Sequence, residues 1–106
     1  MSSKVMVSVS GNVVSVDVSN LRMAGKGHNA PIEWEMATSG WSFPSNGIVI
    51  KGNDGQFTQL QTYDQGRKFK CNDKNDDGKT YKYDVNVTNG QTTLTLDPTI
   101  ENGATQ

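Results

Sequence analysis

The stretch DKNDDGKTYKYD, Asp73–Asp84, holds the densest set of oxygen ligands in the chain. In a helix–loop–helix calcium site, the ligands come from loop positions one, three, five, seven and twelve. On that spacing they are Asp73, Asn75, Asp77, the carbonyl of Lys79, and Asp84. The last one does not fit. TYKYDVNV alternates apolar and polar residues, which is the period of a strand. At about 3.3 Å per residue, such a strand carries Asp84 roughly 20 Å from Gly78. Asp73, Asn75 and Asp77, with Asp76 beside them, then fall short of the roughly six to eight oxygens calcium prefers. The stretch therefore reads first as a strand connection whose Asn, Asp and Gly residues supply turn conformations. Asp73, Asn75 and Asp77 remain the candidate metal ligands, and weak calcium binding is an alternative function. No other cofactor is expected.

Other chemistry is harder to assemble. A blue-copper centre needs two His and one Cys, and the chain has a single His, His28, and a single Cys, Cys71. Zinc fails for the same shortage. A His28–Cys71 nucleophile–base pair has no third group to orient it. Cys71 also shares a strand face with Phe69, the position of a buried, inert thiol. GKGHNA contains G-x-G but lacks the G-K-[ST] ending of a phosphate loop. Glu33 and Glu35 are paired carboxylates on one strand face, whereas glycosidases place theirs across a cleft. No catalytic residues are assigned, and a non-enzymatic protein is expected. Trp41, Phe43 and Tyr63 lie beside turns. They are the candidate binding surface, since aromatics there can stack on a sugar or anchor a protein. The competing reading is that Trp41 and Phe43 close one end of the core.

The elements that would position these residues are strands. KVMVSVS and VVSVDV flank Gly11–Asn12 and read as a hairpin. IEWEM puts Ile32, Trp34 and Met36 inward. IVIK, QFTQLQTY and RKFKC follow as short strands. KTYKYDVNVT is the clearest, with Tyr81, Tyr83, Val85 and Val87 on one face. Asn89–Gly90 signals a hairpin into TTLTLDP, which Pro98 is expected to end. Asn20–Pro31 reads as a loop, and residues 101–106 as a disordered tail. The expected core is Val5, Val7, Val14, Val16, Ile32, Trp34, Ile48, Ile50, Phe57, Phe69, Tyr81, Tyr83, Val85, Leu94 and Leu96. Lys51, Lys68, Lys70 and Lys82 are read as guards against edge-to-edge strand pairing.

Seven or eight short strands without a helix predict an all-β, two-sheet antiparallel sandwich, in one domain spanning residues 1–106. The order of features resembles immunoglobulin-like sandwiches, in which a Tyr at the start of the penultimate strand folds its hydroxyl back to the preceding corner. Tyr81 occupies that place, and Trp34 that of the core tryptophan. The paired cysteines of antibody domains are absent. FPSNGIVI, TYKYDVNV and LDPTIEN also resemble segments of a group of small bacterial β-sandwich proteins, and that resemblance implies a fold and no activity.

Composition agrees with this class. The 106 residues are 33% hydrophobic, with ten basic residues against eleven acidic ones and a net charge of −1. Mean hydropathy is −0.62. Neither sign of charge forms a long run, so neither nucleic acid nor an acidic membrane surface is an expected partner. MSSKVMVSVSGN is not a signal peptide, which gives a cytoplasmic expectation. The function expected is a small binding or interaction module for a protein or carbohydrate-like ligand, or a structural subunit of a larger assembly.

Overall fold

The computed structural model describes residues 3–103. They form ten strands: β1 (Ser3–Ser10), β2 (Val13–Val16), β3 (Asn20–Arg22), β4 (Ala30–Met36), β5 (Ile48–Ile50), β6 (Phe57–Tyr63), β7 (Lys68–Asp73), β8 (Thr80–Thr88), β9 (Thr93–Leu96) and β10 (Thr99–Glu101). The fold is all-β and sandwich-like. One sheet has the order β2-β1-β4-β7-β6, and the other runs β3-β10-β8-β5 with β9 also on β8.

Three expectations change. The strands number ten because Asn20–Pro31 contains β3 and the start of β4, and because the chain resumes as β10 beyond Pro98. Pro98 has no N–H to give, but its carbonyl accepts the Tyr83 N–H at 3.0 Å. The sheet edge thus bends there without ending. The sheets are mixed, not purely antiparallel. β1 pairs parallel to β4, and β3 parallel to β10. After β2 the chain crosses to the other sheet for β3 before returning as β4, so β1 and β4 are not hairpin neighbours and can run the same way. Finally, Glu101 ends a paired strand, and Asn102 and Gly103 are buried. Of the expected disordered tail, residues 104–106 lie outside the described residues.

The period of two decides which side chains meet between the sheets. Val5, Val7, Ile32, Trp34 and Phe69 from the first sheet face Tyr81, Tyr83, Val85, Val87 and Ile100 from the second, and all are buried. Val16, Leu94 and Leu96 pack on this core while staying partly exposed. Met23, Ile100 and Val87 are buried residues beyond the expected set. At the centre, Trp34 and Tyr83 meet edge to face with centroids 5.5 Å apart. The Trp34 indole N–H donates to the Tyr83 hydroxyl oxygen at 3.1 Å. Phe69 and Phe43 continue the aromatic row. An indole N–H buried this deeply requires an acceptor, and Tyr83 supplies it from the opposite sheet.

Three of the four lysines do not guard edges, and only Lys51, which follows the edge strand β5, lies at one. Lys68 and Lys70 lie on β7, and Lys82 on β8, each with strand neighbours on both sides. Lys51 and Lys82 instead pair with Asp84 and Asp97 on the outer surface of the second sheet.

Replacing Tyr83 by Phe should cost about 1–3 kcal/mol, because it strands the buried indole N–H without an acceptor. In a Trp34→Phe background the same change should cost close to nothing. Denaturant unfolding of the four proteins measures this. Equal costs in both backgrounds would show that the bond contributes nothing.

Candidate functional site

The connection from β7 to β8 carries the acidic stretch. Asp73 is the last residue of β7, and its side chain is fully buried. Asn75 follows in a left-handed conformation, φ 60°, which Asn tolerates better than most residues. That turn swings the Asn75 amide inward, where it too is fully buried. Its Nδ2 donates to the carbonyls of Met23 (2.8 Å) and Gly27 (2.9 Å), and its Oδ1 accepts from the Gly103 N–H at 2.8 Å. Asp73 Oδ1 accepts the Asn75 N–H at 3.0 Å. Asp77 Oδ1 accepts from the Lys79 N–H and from Asn102 Nδ2, both at 3.1 Å, and Oδ2 accepts the Tyr81 hydroxyl. Asn102 also donates to Gln56 Oε1, which in turn accepts the Asp76 N–H.

Asp73, Asn75 and Asp77 are therefore brought together, and most of their oxygens serve internal hydrogen bonds. Asp84 is far along β8 and pairs with Lys51 on the outer surface. Among the described residues, no group of three or more His, Cys, Asp or Glu side chains is placed to hold a metal ion.

Two oxygens stand apart. Asp73 Oδ2 and Asn102 Oδ1 are buried with no donor among the described residues. Burial pushes the Asp73 carboxyl up to about 6. The Asn75 N–H and the Asn102 side chain pull the other way, and Asp77 and Asp76 add to the rise. Burial opposes charge at Asp77 as well, but there the bonds from Tyr81, Lys79 and Asn102 win and hold it below the ordinary carboxylate range.

The second candidate is the outer face of the first sheet. Register sets Lys4 beside Glu33 and Glu33 beside Lys70, with Glu35 beside Lys68 and Lys68 beside Tyr63. From β6 the Tyr63 side chain crosses β7 and donates its hydroxyl to Glu33 Oε1 on β4. Its ring lies with Lys70 Nζ 5.0 Å and Lys68 Nζ 5.7 Å from the centroid. The Glu33 bond, then burial, raises the Tyr63 hydroxyl to about 12, so it stays a donor at neutral pH. Lys4 Nζ reaches Glu35 at 2.5 Å and Glu33 at 3.8 Å.

The other two candidate aromatics sit differently. Phe43 is buried at 3% exposure and packs on Phe69, so it belongs to the core and not to a surface. The cause is local: Phe43 N–H donates to the Gly66 carbonyl at 2.7 Å, which seats the segment over the end of the sandwich. Trp41 is half-buried, and its carbonyl accepts from Arg67 Nη1 at 2.9 Å. Arg67 also holds the carbonyls of Thr38 and Met36. Trp41 and Tyr63 make no ring contact with each other.

Cys71 is buried at 4% exposure and His28 is exposed, so they form no dyad. Burial, with the nearby Asp73 carboxylate, pushes the thiol well above its ordinary range. No pocket opens among the described residues, and no helix there is long and apolar enough to cross a membrane.

Sequence reading missed Asn102, Gln56 and Arg67. Their partners lie 20 or more residues away in the chain, and no local pattern marks such contacts. Tyr63 was found by type, but its setting among Lys68, Lys70 and Glu33 follows only from register. No protein-family model matches the chain, and a search of curated proteins found no match.

The folded-state value of Asp73 lies above the ordinary 3.8. Its contribution to stability is therefore fully present below about pH 4 and is lost as pH rises through about 6. Asp73→Asn keeps the acceptor for Asn75 and adds a donor for Asn102. It should flatten stability between pH 4 and 6 and gain roughly 2 kcal/mol at pH 8. Unfolding curves across pH test it, and an unchanged pH profile would show that Asp73 is not the titrating group. A thiol reagent should modify Cys71 only at the rate of unfolding; rapid labelling of the native protein would contradict its burial.

Proposed function

We propose that the protein is a non-enzymatic binding module that meets a carbohydrate-like ligand on the outer face of its first sheet, through Tyr63. The observation that carries this reading is the fixing of Tyr63. Its hydroxyl is tied to Glu33 on β4, and its ring lies flanked by Lys68 and Lys70. An aromatic ring fixed in advance has little rotamer entropy left to lose, so stacking on a sugar ring is not offset by ordering the side chain. The surrounding carboxylates and ammoniums are hydrogen-bonding groups matched to sugar hydroxyls. Trp41 is a second half-exposed aromatic at the end of the sandwich, available to a longer ligand.

The reading also takes the sandwich as immunoglobulin-like. The strands β4-β7-β6 supply one sheet and β3-β10-β8-β5 the other, with β3 parallel to the last strand. The β1–β2 hairpin extends the first sheet beyond β4. The Tyr81 hydroxyl turns back to the corner just upstream, like that of a corner tyrosine, although its acceptor is the Asp77 carboxylate and not the backbone. The chain departs from that scheme in one respect: immunoglobulin domains carry the core tryptophan and the corner tyrosine in one sheet, whereas Trp34 lies on β4 in the first sheet and Tyr81 on β8 in the second.

Binding to a panel of neutral and acidic oligosaccharides, followed by calorimetry or amide shifts, tests the function. Tyr63→Ala should abolish binding while leaving thermal unfolding nearly unchanged. Tyr63→Phe should retain most of it, because the stacking face survives. A panel without a single binder, or binding indifferent to Tyr63→Ala, would overturn the reading.

A further inference from the structure

The register of the outer face creates two opposite-charge pairs, Glu33 with Lys70 and Glu35 with Lys68, directly across from each other on β4 and β7. Opposite charges so placed normally pair. Here they do not. Glu33 gives one oxygen to the Tyr63 hydroxyl and the other to Lys4, and Glu35 takes the same Lys4 ammonium. One lysine on β1 thus serves both glutamates. Lys68 and Lys70 are left without a carboxylate within ion-pair distance among the described residues, and both ammoniums turn toward the Tyr63 ring.

Asp84 and Asp97 belong to the outer surface of the other sheet, where they hold Lys51 and Lys82, and the acids whose charge reaches Tyr63 are Glu33, Glu35 and Asp64. The two ammoniums sit on one strand, two residues apart, on the same face. A ring quadrupole attracts a cation but does not neutralise it. The pair therefore retains N–H donors with no carboxylate within ion-pair distance among the described residues, over the Tyr63 ring, although Glu35 still acts on Lys68 through space and offsets part of its charge.

We infer that Lys68 and Lys70, together with Tyr63, receive an acidic saccharide, whose ring stacks on Tyr63 and whose carboxylate or sulfate group lies between the two ammoniums. The inference rests on the carbohydrate-binding reading and deepens it by naming the ligand's charge. Charge complementarity selects the occupant: a neutral sugar would leave both ammoniums unmatched, and an acidic peptide would leave the tyrosine face unused. Charge-assisted bonds from Lys to carboxylate or sulfate are the stronger kind. Lys4 has a positioning role, since it draws Glu35 and Glu33 away from the receiving lysines.

The test is calorimetric titration of the full chain with three probes: an oligogalacturonate, its methyl ester, and a sulfated heparin-derived hexasaccharide. Polyglutamate serves as the acidic-peptide control. Expected is binding of at least one acidic probe that weakens about tenfold or more in Lys68→Gln/Lys70→Gln and weakens with added salt. If the carboxylate is the recognised group, the methyl ester should lose a similar factor; if it is the sulfate, only the heparin fragment binds. Equal affinity for the ester and the acid, with no sulfate binding, would overturn the inference while leaving the carbohydrate-binding reading intact. So would acidic binding unaffected by the double substitution. Polyglutamate binding as tight as the saccharides and indifferent to Tyr63→Ala would overturn it in favour of an acidic-peptide surface. Failure of every saccharide would remove both readings. The two lysines are surface residues, so the double variant should unfold at nearly the wild-type temperature, which circular dichroism checks.

Discussion

The end of the sandwich is closed by one buried amide. Asn75 joins three separate stretches of chain: Met23 and Gly27 after β3, its own loop after β7, and Gly103 after β10. No apolar residue could do this, because the groups it meets are two carbonyls and an N–H, and buried backbone groups need partners. Glycine would accept the positive φ but bring no side chain. Aspartate would present acceptors to two carbonyls. The identity of this residue therefore follows from what faces it. Each bond is worth only about 1 kcal/mol net, but each is costly to leave unmade. The acidic loop around it is part of the same closure. Asp77 anchors the Tyr81 hydroxyl and the Lys79 N–H, so β8 starts in a fixed place and delivers Tyr83 to Trp34.

A stretch with the spacing of a calcium loop thus also closes the end of the sandwich. The types that ligate calcium are the types that make tight turns, because both tasks use short oxygen-bearing side chains. What separates the tasks is where the oxygens point. In this loop most point at backbone N–H groups and at Asn102 or Tyr81. Asp73 is the exception. One of its oxygens faces no donor, and burial answers that by raising its affinity for a proton.

Much of the fold was legible because alternation is a local signal. The β1–β2 hairpin, the inward faces of β4, β7 and β8, and Trp34 as the core tryptophan all follow from a period of two and from turn residues. β3 and β10 were not legible. Each is three residues long, too short to show a period, and each exists because its neighbour in the sheet supplies the ladder. Pro98 misled for a related reason: it forbids one N–H but leaves its carbonyl free to bond Tyr83. Asn102 and Gly103 look like a polar tail in sequence, and only the loop that receives them makes them interior. The same holds for the sites. Residue type picked out Asp73, Asn75, Asp77 and Tyr63, but not the partners that define what each of them does. Sequence leaves Phe43 open between a binding surface and a lid on the core, and its burial together with its backbone bond to Gly66 decides for the core.

The edges of the first sheet show why its outer face stays open. β2 and β6 are its outermost strands. β6 pairs with β7 through a register shift between Thr58 and Gln61, with Gln59 at φ 60°. Such a bulge twists the strand and spoils the regular row of donors and acceptors that a second chain would need for edge pairing. Because the bulge and a run of Gln and Thr already blunt the edge, charged side chains are not needed there. The lysines of β7 are thus placed one strand inside, where they face outward over the sheet instead of along its rim. Tyr63, just past the bulge, is in register with Lys68 again and lies back across both lysines. The irregularity in β6 therefore separates two jobs along one strand. Its first half resists pairing with other chains, and its second half holds an aromatic ring at a fixed place on an otherwise charged face.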